Sequence, residues 1–225
     1  MITGETRLVG LLGDPVSHSL SPLLQNAAFA ARGLDWAYVP LAVTAEQLAD
    51  AVRGLVALGF AGANVTTPHK LAVAKLVVTE EESVNTLVIR AGRVHGSSTD
   101  AAILDGLEFE RAAIIGDGGA ATAFAAALPE ASRFFRRGAW PPDVANADLV
   151  VNATSEREEI VVRLRPDQTL VDLPYPRTAT AETAEAEGAR VIDGLEVLVA
   201  QGAASFEAWT GISAPREVML ATVRT

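Results

Sequence analysis

The chain has 225 residues, 49% of them hydrophobic, which is enough for two small domains with substantial cores. Its formal net charge of −10 argues against nucleic acid or an anionic membrane as the main partner. The absence of cysteine excludes disulfides, thiolate nucleophiles and cysteine-ligated zinc. No run approaches the roughly 18 apolar residues of a membrane span, and the N-terminal residues do not resemble a signal peptide. We therefore expect a cytoplasmic protein.

In the first hundred residues, short apolar runs alternate with helical patterns, as in β-α-β units around a largely parallel sheet. Strands are predicted over 8–12, 36–41 and 61–65, helices from Ser21, from Thr44 to about Gly59 and after Pro68, and a hairpin over 86–90 and 93–95. Ser21 is expected to cap its helix, and Thr44 and Gln47 to form a capping box at the start of the next.

A second α/β unit is predicted from about residue 100 onwards. Its strands are expected over 112–115, 133–135, 149–152, 169–172 and 190–192, and its helices over about 122–128, 195–209 and 215–223. His18 and His69 are interpreted as residues that at most line a site, and no metal is expected because no histidine shares a metal-like spacing with a carboxylate.

A G-x-G-x-x-A pattern at Gly116, Gly118 and Ala121 follows a predicted strand and precedes a helix. Glycines allow a tight turn and a close approach of a pyrophosphate, and the helix N-terminus supplies unpaired N–H groups. The pattern predicts a nucleotide site, provided that Asp117 points into solvent. Arg136 and Arg137 follow the next strand, where an NAD site would carry an acidic residue, so the sequence favours NADP.

Polar segments also follow two strands of the first domain, at the positions where α/β proteins bind ligands. Several hydroxyls lie between Ser17 and Pro22, and the segment from Asn64 to Lys70 combines amide, hydroxyl and ammonium groups. Taken alone, each segment is also consistent with an ordinary helix start.

The order of these motifs resembles the shikimate dehydrogenase family, including its quinate-using relatives, over essentially the whole chain. The motifs that carry the resemblance are Ser19 to Pro22, Asn64 to Lys70, Asn85-Thr86, Thr99-Asp100, the Gly116 turn, Asn152 to Thr154, Asp172 to Pro176 and Gly194 through Gly211. The chain resembles a shortened member, since the stretch between Lys70 and Asn85 and the segment after Thr154 depart from the family pattern.

The resemblance implies a role for each matching residue. Lys70 and Asp100 resemble the catalytic pair, in which an ammonium donates a proton to the forming alkoxide. The residues that resemble the substrate site are Ser19 and Ser21 for the carboxylate, Thr66, Asn85 and Gln201 for ring hydroxyls, and Tyr175. Those that resemble the NADP site are Gly116, Gly118, Gly119, Ala120, Arg136, Arg137, Asn152, Thr154 and Gly194.

The implied fold is α/β with two domains: an N-terminal substrate domain over 1–100, joined by C-terminal helices over 195–225, and a Rossmann-like NADP-binding domain over 101–194, with a cleft between. The implied activity is reversible, NADP-dependent reduction of 3-dehydroshikimate to shikimate in aromatic amino-acid biosynthesis. Two alternatives remain open: a quinate or aminoshikimate dehydrogenase with either NADP or NAD as its cofactor, and a shikimate-dehydrogenase-like ligand-binding protein with little turnover. The partner is a small ring carboxylate, and the expected assembly is a monomer or homodimer.

Overall fold

The computed structural model describes residues 2–225 and contains two compact α/β units. The first consists of the residues up to Thr99 together with Val199–Thr225, and the second of Asp100–Leu198. Each unit is built on its own five-stranded sheet. No helix among the described residues has the length and apolar character needed to span a membrane.

The first unit has a mixed sheet with the strand order β2-β1-β3-β4-β5. Its strands are β1 (Arg7–Gly13), β2 (Trp36–Ala42), β3 (Gly62–Val65), β4 (Thr86–Arg90) and β5 (Arg93–Ser97), and its helices are α1 (Ser21–Ala31), α2 (Leu48–Ala57) and α3 (Lys70–Ala74). The predicted hairpin is confirmed, and Ala91 and Gly92 both have positive φ, as a tight two-residue turn requires.

The second unit has an entirely parallel sheet with the strand order β10-β9-β8-β6-β7. Its strands are β6 (Ala112–Ile115), β7 (Ser132–Phe134), β8 (Leu149–Asn152), β9 (Thr169–Asp172) and β10 (Arg190–Ile192), and its helices are a short 3₁₀ helix (Asp100–Leu104), α4 (Gly119–Ala127) and α5 (Ala179–Ala186). α6 (Gly194–Thr210) and α7 (Arg216–Val223) complete the chain.

Apolar side chains cover both faces of the first sheet. One face packs on α2 and α3 through a cluster that includes Leu12, Val52 and Leu87. On α1, Phe29 stacks on Phe206 of α6 with ring centroids 5.4 Å apart. A sheet buried on both faces explains why its inner strands are almost wholly apolar in sequence.

Several predicted helix boundaries are wrong. The helix predicted from Thr44 begins at Leu48, although the Gln47 side chain does accept the Thr44 N–H at 3.4 Å. α4 begins at Gly119 rather than at Thr122, so the turn before it contains only residues 116–118. α5 was not predicted, because its buried residues Thr180, Ala181 and Ala184 are too small to give a clear apolar period.

Candidate active site

Several predicted site segments meet at one edge of the first sheet. β1 and β3 are parallel neighbours with Leu12 opposite Val65, so the segments that follow them leave the sheet side by side. β4 runs antiparallel to β3, with Asn64 opposite Thr86, and β5 runs antiparallel to β4. The start of β4 and the end of β5 therefore lie at the same edge, which is where ligands bind in α/β sheets.

The capping hydrogen bond at the start of α1 differs from the predicted one. Ser19 Oγ accepts a hydrogen bond from the Ser21 backbone N–H at 3.2 Å, and Leu20 occupies the N-cap position without a side-chain bond. The prediction that Ser21 caps the helix is therefore wrong, because the upstream serine binds the first helical N–H. Ser21 is buried, and its hydroxyl forms no hydrogen bond with any described residue.

The segment after β3 begins with Thr66 and leads into α3. A side chain at Gly13 would collide with the Thr66 methyl group, so the close approach of the two strand ends requires glycine at that position. Thr66 O accepts the His69 N–H at 2.9 Å, and Lys70 follows as the first residue of α3. The His69 ring is buried and hydrogen-bonded to Val43 O at 2.6 Å, so it is a core residue rather than a lining residue.

A buried hydrogen-bond network fixes the side chain of Asn85. Its Oδ1 accepts the Thr99 backbone N–H at 2.8 Å, the Thr99 hydroxyl at 3.1 Å and the Thr86 hydroxyl at 2.9 Å. Because a backbone N–H can only donate, these bonds identify the amide oxygen and direct the amide nitrogen to the opposite side. The Asn64 Nδ2 donates to Asn85 O at 3.0 Å and to Ser205 Oγ at 2.9 Å.

Ser205, whose role was not predicted from the sequence, connects this network to α6. Its hydroxyl lies 2.8 Å from Thr86 Oγ1 and donates to Gln201 O at 3.0 Å. One turn further on, Trp209 donates to Leu87 O at 2.9 Å, in a space that a side chain at Gly62 would occupy. α6 therefore runs antiparallel to β3, and Gln201 lies towards the edge of the sheet at which β3 ends.

Lys70 and Thr99 both contact the segment that contains Asn85. Lys70 O accepts the Val84 N–H at 3.0 Å, and Thr99 donates to the adjacent Asn85 as described. Asp100 follows Thr99 directly, opens the 3₁₀ helix and is 7% exposed. Lys70 and Thr99, the residue before Asp100, are thus both hydrogen-bonded to one short segment, Val84-Asn85.

In the second unit, the predicted nucleotide segments follow neighbouring strands. β6 lies between β7 and β8 in the sheet, although β7 and β8 follow it in sequence. The strand order therefore changes direction at β6, which makes this edge the topological switch point where doubly wound sheets bind dinucleotides. The glycine turn follows β6, the arginine pair follows β7, and Asn152 ends β8.

The glycine turn fits a pyrophosphate. Gly116 has φ +132°, and a Cβ there would lie 2.9 Å from Ala153 O, so this position requires glycine. Around Gly118, by contrast, no atom of the described chain lies within 4 Å of where a Cβ would be. The first turn of α4, which begins with Gly119 and Ala120, contains no acidic residue. The Asp117 side chain is exposed, as the nucleotide interpretation requires.

The two arginines after β7 have different surroundings. Arg136 donates to Glu159 Oε2 at 3.0 Å and lies 5.0 Å from the centre of the Trp140 ring. Arg137 is exposed and forms no ion pair or hydrogen bond with any described residue. Both guanidiniums remain largely in solvent, where an anionic group can reach them.

The loop after β8 is held by a chain of buried polar side chains. Asn152, which is fully buried, donates to Asp172 Oδ1 at 2.6 Å and accepts from Thr154 N at 3.2 Å and Thr154 Oγ1 at 2.8 Å. The Thr178 hydroxyl donates to Asp172 Oδ2 at 2.7 Å. Burial raises the pKa of Asp172, and the hydrogen bonds from Thr178 and Asn152 oppose that rise.

Tyr175 and Gly194, the remaining predicted residues, belong to neighbouring segments of the second unit. Tyr175 is half-buried in the loop that follows β9. A side chain at Gly194 would collide with Pro174 O, so α6 can begin close to this loop only with glycine at its first position.

Comparisons with known proteins agree on one family: two family models match parts of the chain, and curated relatives match nearly all of it. Residues 11–87 match the model of the shikimate dehydrogenase substrate binding domain, and residues 194–224 match that of the shikimate 5′-dehydrogenase C-terminal domain. A curated shikimate dehydrogenase (NADP(+)) of Anaeromyxobacter dehalogenans (strain 2CP-C) is 39% identical, over 97% of this chain and 96% of the relative. The chain belongs to the shikimate dehydrogenase family.

Solved shikimate dehydrogenases have the same two-domain α/β fold, which confirms the predicted fold class. The enzyme from Aquifex aeolicus is 28% identical with a TM-score of 0.88, and the alignment covers 100% of both chains. That from Thermus thermophilus, solved in complex with NADP(H) and shikimate, is 28% identical with a TM-score of 0.85, covering 97% of this chain and 98% of the other.

The chain is a shortened member of the family, as predicted. The alignment with the Anaeromyxobacter enzyme spans 267 positions, whereas the chain has only 225 residues. At least 42 positions of that alignment therefore have no residue here (267 less 225). In this member of the shikimate dehydrogenase family, β7 leads to β8 through residues 135–148 without a further helix or strand.

Proposed function

We propose that this chain catalyses the reversible, NADP-linked interconversion of 3-dehydroshikimate and shikimate, acting as a reductase in aromatic amino-acid biosynthesis. The observation that carries the proposal is the Asn85 network, which organises a polar sheet edge from the ends of three strands and α6. The NADP(+) shikimate dehydrogenases to which the chain is similar support the substrate and the cofactor.

The substrate is bound, in this proposal, by the first unit. Ser19 and Ser21 hydrogen-bond the ring carboxylate, which fits the buried Ser21 hydroxyl that has no partner among the described residues. Thr66, Asn85 and Gln201 bind ring hydroxyls, Asn85 through the amide group whose direction the Thr99 bonds determine. We propose Tyr175 as a further substrate-binding residue.

Lys70 and Asp100 form the proposed catalytic pair. When bound, NADP supplies the hydride acceptor or donor at its nicotinamide ring. In the reductive direction, the Lys70 ammonium stabilises the negative charge that develops on the carbonyl oxygen and gives that oxygen its proton. Asp100 orients the ammonium and accepts a hydrogen bond from the substrate hydroxyl. In the oxidative direction, Lys70 takes the hydroxyl proton back.

The second unit holds the cofactor in this proposal. Backbone N–H groups of Gly118, Gly119 and Ala120, at the N-terminus of α4, would bind the pyrophosphate, and Gly116 keeps the turn close to Ala153. Thr154 on the neighbouring loop and Gly194 would complete the site, Gly194 on the side of the nicotinamide. The domain roles follow: residues 1–100 with 195–225 bind the acid, and residues 101–194 bind NADP.

The arginine pair is expected to select NADP over NAD. The double variant Arg136→Ala/Arg137→Ala should raise the KM for NADP by about 10-fold or more and leave the KM for NAD almost unchanged, because only NADP carries a 2′-phosphate. Steady-state kinetics with both cofactors measures this. Arg137→Ala should account for most of the effect, since Glu159 and Trp140 already occupy Arg136.

Arg133→Ala is the matched control, because Arg133 is an exposed arginine on β7 before the proposed phosphate site. It should change neither KM. If the double variant raises the KM values for NADP and NAD equally, the assignment of the arginines to the 2′-phosphate is wrong.

Initial rates with shikimate and quinate, each with NADP⁺ and NAD⁺, test the proposed function. We expect the highest kcat/KM for shikimate with NADP⁺. Turnover only with quinate, an amino analogue or NAD⁺ would assign the chain to the sister enzymes. Thermal stabilisation by these ligands without turnover in any combination would indicate a binding protein.

A further inference from the structure

The buried chain of hydrogen bonds from Thr178 through Asp172 and Asn152 to Thr154 has a fixed direction. Asn152 can use its amide in two orientations, which differ by exchange of oxygen and nitrogen. The Asp172 carboxylate only accepts, and the Thr154 backbone N–H only donates. With both partners in place, only one orientation satisfies both bonds.

This direction matters for the loop after β8. When the Asn152 amide oxygen faces Thr154, that oxygen accepts hydrogen bonds from the Thr154 N–H at 3.2 Å and from the Thr154 hydroxyl at 2.8 Å. With the amide reversed, its NH₂ group would face the Thr154 N–H, and two donors would oppose each other. Ala153 lies between Asn152 and Thr154, and its carbonyl oxygen lies against Gly116. Asn152 therefore holds the Ala153-Thr154 loop and, through the position of the Ala153 carbonyl, also affects the glycine turn at Gly116.

This hydrogen-bonded relay consists of Thr178, Asp172, Asn152 and Thr154, and the side chains of its first three members do not reach solvent. Asn152 and Thr178 are fully buried and Asp172 is 1% exposed, so none of these three can contact a ligand that approaches from outside. Thr154 is half-buried and is the member of the chain closest to the surface. The relay can therefore influence a bound nucleotide only by holding the Ala153-Thr154 backbone in place.

We propose that Asp172 is a positioning residue for the NADP site: by orienting the Asn152 amide, it holds the Ala153-Thr154 loop against the Gly116 turn in the conformation that binds the dinucleotide. This inference rests on the proposed function, because it assumes that the second unit binds NADP. It also gives Asn152 a positioning role in place of direct contact with the cofactor.

Three variants test the proposal by direct titration of NADPH fluorescence, which requires no turnover. Asp172→Ala removes the acceptor for the Asn152 amide, and we expect its Kd for NADPH to rise by about 10-fold or more. Asp172→Asn retains one acceptor oxygen, which can face the Asn152 NH₂ group while the new NH₂ group faces the Thr178 hydroxyl, and it should restore the Kd to within about 2-fold of wild type. The KM for shikimate should change by less than about 2-fold in both.

Thr178→Ala is the matched control. It removes the other hydrogen bond to Asp172 and the cap of α5, where Ala181 N donates to Thr178 Oγ1 at 3.0 Å. We expect a lower melting temperature and an unchanged Kd, because the Asn152–Asp172 bond remains. If NADPH affinity instead falls in proportion to the melting temperature across all variants, the relay is merely structural and the proposal is overturned.

Two further outcomes are decisive. A Kd in Asp172→Ala equal to that of wild type would overturn the proposal. Should that variant fail to fold, a large loss of affinity in a stable Asp172→Asn protein would overturn it equally, because the acceptor oxygen is retained there. Wild-type protein is titrated first: if it does not bind NADPH, the proposed function fails, whereas normal wild-type binding with unaffected variants refutes the positioning role alone.

Discussion

Replacement of Lys70 by alanine is expected to lower kcat by about 10²-fold or more and to leave the KM for shikimate nearly unchanged. Lys70 supplies both the charge that stabilises the alkoxide and the transferred proton in the proposed reaction. The substrate should still bind, because the other proposed substrate ligands, Ser19, Asn85 and Gln201, lie in other segments of the chain. Steady-state kinetics in the oxidative direction, with shikimate and NADP⁺, measures both constants.

Lys75→Ala provides the control for Lys70→Ala. Lys75 is an exposed lysine at the other end of the same short helix, α3. The Lys75→Ala variant removes the same charge from the protein at a position without a proposed role, and its kcat should equal that of wild type. A Lys70→Ala protein with near-normal kcat would remove Lys70 from the mechanism and leave the chemistry without a proton donor.

Replacement of Gly116 by alanine is expected to abolish tight NADP binding and to destabilise the second unit. The backbone there has φ +132°, which strains any other residue by about 1–3 kcal/mol. The new Cβ would also lie 2.9 Å from Ala153 O, a backbone atom with little freedom to move. The Kd for NADPH should rise by about 10-fold or more, and the melting temperature should fall by about 4 °C or more.

Gly118→Ala separates binding from stability at the same turn. Gly118 has φ −83°, and no described atom lies within 4 Å of where its Cβ would be, so the variant should fold like wild type. The methyl group would enter the space proposed for the pyrophosphate, so NADPH affinity should still fall by about 10-fold. Wild-type affinity in Gly118→Ala would place the dinucleotide elsewhere.

Local chemistry made some parts of the fold predictable from sequence. The Ala91-Gly92 hairpin and the strand-turn-helix at Gly116 depend on residues that are adjacent in sequence, and both are present. The switch point at β6 was not predicted, because the order of the strands in the sheet is visible only in the assembled structure. The wrong prediction at the start of α1 has a local cause. Ser19 and Ser21 are two residues apart and either could cap the helix, and periodicity alone does not decide between them.

The supporting residues of the site could not be predicted from sequence. Ser205 meets Asn64 across 141 residues and Thr86 across 119, and nothing near Ser205 in the sequence indicates either contact. Asp172 meets Asn152 across 20 residues, on the neighbouring strand. A serine in mid-helix or an aspartate at a strand end has no local signature, so these roles emerge only when the sheets are assembled.

Transfer of a labelled hydrogen from shikimate to NADP⁺ would show directly whether this protein catalyses the proposed reaction. Shikimate that carries deuterium on the carbon that becomes the ketone would be incubated with the protein and NADP⁺, and the nicotinamide examined by mass spectrometry and NMR. We expect one deuterium in each NADPH formed, with an equal amount of 3-dehydroshikimate. Bound NADP⁺ without any deuterated NADPH, or oxidised product with unlabelled NADPH, would contradict the proposed function.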